Sequence, residues 1–164
     1  GLRELQEKKP LTEILSKLKS EINQKSIQKP ILLKIAPDLN TDQLDDIIEI
    51  VLNTGTDGII ATNTTLDREN IQTDTLNIGA GGLSGKPLEN KSTEVIRYIH
   101  SKAKGKIPII GVGGISNVDD VIKKLEAGAS LVQLYSGLVY EGPSMVRQIL
   151  QKLVTYNIKK KQNV

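Results

Sequence analysis

The sequence predicts an α/β protein of parallel strands, in the pattern of a partial (β/α) barrel. Three observations carry this. Short apolar runs alternate with helix-sized amphipathic stretches along the chain. The runs are continuously apolar, as expected of parallel strands buried on both faces. Two neighbouring runs, Pro108–Ile115 and Leu131–Gly137, end in small or polar residues suited to loops that accept a phosphate. In such barrels the phosphate site tends to follow the last two strands. The chain has 164 residues, enough for one domain with a core, whereas a complete eight-stranded barrel needs about 250. It reads as part of a barrel, and its start at Gly1 rather than Met fits a partial sequence.

The elements follow in order. Leu11, Ile14, Leu15, Leu18 and Ile22 form a helical stripe ahead of the first strand, Ile31–Ala36, which Pro37 closes. Asn40 or Thr41 caps the next helix, with Leu44, Ile47, Ile48, Val51 and Leu52 on its apolar face. Gly55 and Gly58 bracket the turn into the second strand, Ile59–Asn63. A stretch rich in Gly, Asn, Asp and Thr runs from Thr64 to about Asn90. It is too long for an ordinary βα connection and is expected to serve the active site. A helix with Val95, Ile96 and Ile99 leads to the third strand, Ile109–Val112. Asn117 caps a helix carrying Val118, Val121, Ile122 and Leu125, and Gly128 suits its C′ position. The fourth strand is Leu131–Tyr135, and Pro143 is placed as N1 of a last helix with Val146, Ile149, Leu150 and Leu153 inward.

Composition excludes several classes of function. With no Cys and one His, His100, there is no disulfide framework, thiolate metal site or multi-histidine metal site. His100 reads as a solvated helix residue. Four Tyr are the only aromatics, which argues against base-stacking nucleic-acid surfaces. The net charge of +3 is mild and much of it sits in Lys159, Lys160 and Lys161, a solvated tail or, on the sharper reading, a contact with an anionic membrane surface. No apolar run approaches the length of a transmembrane helix, and no signal peptide opens the chain.

Five segments could carry chemistry. Lys34 interrupts the first strand; by alternation it shares a face with Leu32 and Ala36, and the bulkier Leu33 and Ile35 suit the outer helices. Lys34 is therefore expected to point into the barrel, where a buried ammonium needs a partner. It is a structural ion pair or snorkelling Lys, a Schiff-base Lys, or a cation stabilising a reduced, anionic cofactor. Thr62-Asn63-Thr64-Thr65 ends the second strand, and the Asn63 amide can read an imide or amide edge. Gly81-Gly82-Leu83-Ser84-Gly85-Lys86-Pro87 can bring backbone N–H groups close to a phosphate or ring, although it is not a Walker A loop. Gly113-Gly114 and Tyr135-Ser136-Gly137 would flank one another across adjacent strand ends.

Together these segments resemble dihydroorotate dehydrogenase, specifically its quinone-dependent class, over Gly1 to about Leu153. The landmarks are Gly1-Leu2-Arg3, Lys34-Ile35-Ala36-Pro37-Asp38-Leu39, Ala61 through Thr65, Gly81 through Leu88, Ile109 through Gly114, and Gly128 through Ser136. The resemblance implies a (β/α)8 barrel of which this chain is the C-terminal half, strands five to eight, over 1–157, followed by a basic polar tail over 158–164. It implies FMN as cofactor, with Lys34, Thr62, Gly85, Gly114, Tyr135 and Ser136 binding it. Lys34 lies on the flavin's pyrimidine side; Gly85, Gly114, Tyr135 and Ser136 hold the ribityl phosphate region. Asn63 and Thr64 bind dihydroorotate or orotate.

The same resemblance puts the catalytic serine ahead of Gly1, so no catalytic base and no metal ligand is assigned in this chain. The quinone- and membrane-contacting segment and the first half of the barrel are also expected there. The implied activity is oxidation of dihydroorotate to orotate in pyrimidine (UMP) biosynthesis, at the inner membrane surface, with no nucleic-acid partner; the fragment alone is expected to be inactive. A cytosolic fumarate- or NAD-linked relative, a non-catalytic phosphate-binding half-barrel and a flavin-free enzyme acting on a sugar phosphate are the alternatives.

Overall fold

The computed structural model describes residues 5, 7–25, 29–69, 71, 79 and 81–162, with side chains described as far as Tyr156. The Gly1-Leu2-Arg3 landmark, the side chains of Lys159, Lys160 and Lys161, and most of 70–80 lie outside the described residues. Four strands form one sheet: β1 (Leu32–Ile35), β2 (Gly58–Ala61), β3 (Ile109–Val112) and β4 (Leu131–Gln133). They pair in chain order and all parallel, with Lys34 opposite Ile60, Ala61 opposite Gly111, and Val112 opposite Gln133. The helices are α1 (Lys8–Gln24), α2 (Thr41–Thr54), α3 (Glu89–Lys102), α4 (Val118–Glu126), α5 (Ser136–Glu141) and α6 (Ser144–Gln162). A 3-10 turn, Lys86–Leu88, leads into α3. This is the expected α/β architecture, a segment of a (β/α) barrel.

Local chemistry sets the helix ends. Asn40 accepts from the Gln43 N–H at 2.9 Å while the Gln43 side chain accepts from the Asn40 N–H at 3.0 Å, a reciprocal capping box. Gly55 closes α2 in the left-handed region at φ 67°. Asn117 caps α4 by accepting from the Asp120 N–H at 3.0 Å. The main core packs Ile35, Ile59, Ile96 and Ile109 with Ile47 and Val51; a smaller cluster joins Ile115, Val121, Met145 and Ile149 beneath the end of β4.

Several expectations are corrected. Leu131 is 63% exposed, so β4 is an open edge strand rather than one buried on both faces. In α6 it is Met145 and Ile149 that are buried, whereas Val146 and Leu150 are exposed, because the face toward α4 is rotated from the expected stripe. Pro143 stands immediately before the first helical residue, Ser144. In α1 only Leu11 and Leu15 are buried, and Ile14 and Leu18 face outward. Ser136 begins a short helix, α5, that the sequence reading did not anticipate. The α6 backbone continues to Gln162, past the expected start of the tail.

The strands are shorter than expected, yet the backbone stays tied beyond them. The Thr62 N–H donates to the Val112 carbonyl at 2.9 Å, and the Asn63 N–H donates to the Ile35 carbonyl at 2.7 Å. The Ala61–Thr62 peptide is cis. Past the end of β2, Thr62 is thus tied to β3 and Asn63 to β1.

Candidate functional site

The strand ends open on a cavity of about 790 Å³, within the usual size range of small-molecule sites. Lys34, Thr62, Asn63 and Thr64 line one part; Gly85, Gly114, Tyr135 and Ser136 line another. All eight residues singled out from the sequence therefore meet at one cavity.

Lys34 differs from its expected setting. It is exposed to the cavity rather than buried, and among the described residues its ammonium has no hydrogen-bond or ion-pair partner. An unmatched cation on a strand wall, facing a concave site, favours an anionic or electron-rich ligand there. Asn63 is exposed, while Thr62 is buried and its hydroxyl donates to the Asn63 carbonyl at 3.0 Å. Thr64 packs over Gly82 so closely that a Cβ there would strike its hydroxyl.

The loop after Thr64 is tied back by Asp38, at the end of β1. Asp38 accepts from the Thr65 hydroxyl, from the Leu66 N–H at 3.0 Å and from Lys91 at 2.9 Å. Burial pushes this carboxyl up, but those donors outweigh it and hold its pKa at about 2. Thr65 and Leu83 then pair antiparallel, bringing the glycine-rich turn back to the strand ends. Ser84 reaches Ser136, and a Cβ at Gly85 would lie 3.6 Å from that of Ser136.

On the glycine side, Gly114 adopts φ +74°, and a Cβ there would collide with the backbone of Glu89. No residue with a side chain fits. Nearer α4, the Ser116 N–H is already used, donating to Asp120 at 2.9 Å. The Gly114 N–H has no acceptor among the described residues. An unfilled amide in a cradle without side chains fits a phosphate oxygen.

Beneath this loop lies a polar cluster that sequence reasoning missed. Glu89 accepts from Lys86 at 2.5 Å and from Lys123 at 2.7 Å, and Lys86 also reaches Asp120 at 3.3 Å. Lys124 is fully buried; it donates to the Glu89 carbonyl at 2.7 Å, to the Thr93 hydroxyl at 2.6 Å and to the Ser92 hydroxyl. Burial pushes its pKa down to about 8, against the opposing pull of Glu89 and Asp120. Three ammonium groups meet two carboxylates here, which leaves the loop floor net positive. The available sequence signal is Lys124 standing three residues after Val121, on the face that α4 turns to the sheet, whereas the neighbouring Leu125 is 37% exposed.

A parallel α/β wall with a free cation on one side of its C-terminal mouth and an open glycine cradle on the other is a segment of a (β/α) barrel whose mouth has the chemistry to accept an anionic ligand. The chain belongs to the dihydroorotate dehydrogenase family: the sequence model described as "Dihydroorotate dehydrogenase" matches residues 1–156. It is 57% identical over 154 residues to "Dihydroorotate dehydrogenase (quinone)" of Christiangramia forsetii, covering 94% of this chain and 45% of that protein. It is 46% identical over 157 residues to the protein of the same name from Akkermansia muciniphila, covering 93% and 45%. The crystal structure of DHODH from Eimeria tenella in complex with ferulenol superposes with a TM-score of 0.90 at 32% identity, covering 98% of this chain and 47% of that one. The chain thus spans about half the length of the relatives it matches.

Proposed function

We propose that this chain supplies the cofactor- and substrate-binding half of a quinone-dependent dihydroorotate dehydrogenase, with FMN as the cofactor. The observation that carries this reading is the pairing, in one cavity, of the unpartnered Lys34 ammonium with the unfilled Gly114 amide. Bound FMN would take up the electrons of dihydroorotate oxidation and deliver them to the quinone. Lys34 would hold positive charge against the pyrimidine side of the ring, where negative charge develops on reduction. Thr62 would lie beside it. Asn63 and Thr64 would orient the substrate ring through amide and hydroxyl groups. Gly85, Gly114, Tyr135 and Ser136 would hold the ribityl phosphate, aided by the net positive floor.

On this reading the proton-accepting serine and the quinone-contacting segment are supplied by the other part of the intact protein. A lipophilic acceptor puts the intact protein at the inner membrane surface, producing orotate for pyrimidine nucleotides. The relatives at 46–57% identity carry "(quinone)" in their names, which favours this acceptor over fumarate or NAD.

The test is an acceptor assay on the intact protein, offered dihydroorotate with a soluble quinone, fumarate or NAD+. Turnover with quinone alone is expected. Turnover with fumarate or NAD+ and none with quinone would overturn the assignment of acceptor, and no turnover with any would overturn the activity. The 164-residue segment by itself is expected to bind FMN weakly or not at all, because half of the cavity wall belongs to the other part of the barrel.

A further inference from the structure

The buried Lys124 contacts nothing in the cavity, yet it is joined to the glycine cradle by two hydrogen bonds. Its ammonium donates to the Ser92 hydroxyl, and the Ser92 hydroxyl donates to the Gly113 carbonyl at 3.3 Å. The direction of this relay is fixed by chemistry. An ammonium can only donate, so Ser92 must spend its single proton elsewhere. Gly113 supplies the acceptor.

The consequence falls on the next atom pair. The Gly113–Gly114 peptide is trans, the one cis bond among the described residues being Ala61–Thr62. In a trans peptide the carbonyl and the following N–H point in opposite directions. Drawing the Gly113 carbonyl down toward Ser92 turns the Gly114 N–H up toward the cavity. Without that anchor the peptide is free to rotate, since both flanking residues are glycines.

The packing leaves little slack in the relay. A Cβ at Gly113 would stand 3.0 Å from the Ser92 hydroxyl. A Cβ at Gly111 would stand 3.3 Å from the Lys124 Cβ, so the lysine stem lies tight beneath β3. Among the described residues no buried side-chain nitrogen or oxygen is left without a partner.

We propose that Lys124, acting through Ser92, is a positioning residue that holds the Gly113–Gly114 peptide with its N–H presented to the cofactor phosphate. This rests on the FMN reading above. FMN and riboflavin differ only in the phosphate, so the two ligands separate alignment of the cradle from general integrity of the site.

The experiment titrates flavin-free intact protein with each flavin, following flavin fluorescence. Ser92→Ala is expected to lower FMN affinity about tenfold, the worth of one hydrogen bond to a charged group, while leaving riboflavin affinity unchanged. Lys124→Met is expected to act in the same direction, and Ser92→Ala decides alone if that variant does not fold. Equal losses for both flavins, or no loss for FMN, would overturn the relay while leaving the FMN reading in place. Wild-type protein that does not prefer FMN to riboflavin would remove the FMN reading, and the relay with it.

Discussion

The hydroxyls of Ser84 and Ser136 lie 2.8 Å apart although 52 positions separate them in the chain. Ser84 belongs to the glycine-rich turn after β2, and Ser136 opens α5 after β4. Their contact joins segments that follow strands that are not neighbours, β2 and β4, and both residues line the cavity. Ser84→Ala removes that tie. FMN affinity of the intact protein is expected to fall by about threefold to tenfold, the range for a neutral hydrogen bond, as read by fluorescence titration.

Gly114 tolerates no side chain, for two independent reasons: its φ of +74° and the Glu89 backbone in the path of a Cβ. Gly114→Ala is expected to destabilise the fold by about 2–4 kcal/mol, measured by urea denaturation of the intact protein. Gly81→Ala is the matched control, since a Cβ there meets nothing within 4 Å. It is expected to stay within about 0.5 kcal/mol of wild type.

Asp38 stabilises the protein as a carboxylate. Its folded pKa of about 2 lies below the ordinary value of 3.8, so its contribution is complete above pH 3.8 and is lost as pH falls toward 2. Asp38→Asn is expected to be less stable than wild type at pH 6, with the difference closing by pH 2, in denaturant titrations across that range. The same variant loosens Thr65 and Leu66 and is expected to raise the KM for dihydroorotate, because Asn63 and Thr64 immediately precede that anchor.

Lys124 also makes stability rise with pH, but for a different reason: here the charged form is the one that burial penalises. Its folded pKa of about 8 lies below the ordinary 10.5, so the unfolded chain binds more protons between those values and Lys124 makes stability rise with pH across that window. Relative to Lys124→Met, the wild type is expected to gain stability from pH 8 to 10.5. A flat difference between the two proteins across that range would show that the buried ammonium carries no such penalty.

The fold was legible because its signals are local. Apolar runs such as Ile109–Val112 and caps such as Asn40 and Asn117 act within a few residues, and all of them stand where the pattern put them. The cavity residues were legible because Lys34 breaks an apolar strand and Gly114 belongs to a glycine pair at a strand end. The relay from Lys124 to Gly113 was not legible. Ser92 and Lys124 are 32 residues apart, and in sequence each looks like an ordinary solvated helix residue. Which face of a helix is buried depends on the partner it packs against, and that is also why Val146 and Leu150, expected inward, face outward.

Lys34, Asn63 and Gly114 are proposed to surround one flavin and its substrate. Anaerobic mixing of dihydroorotate with the purified intact protein, followed by flavin absorbance, tests this most directly. Prompt bleaching of bound FMN is expected in the wild type, and its loss in Asn63→Ala with the flavin still bound. Protein that binds no flavin, or bleaching that persists undiminished in Asn63→Ala, would contradict the account.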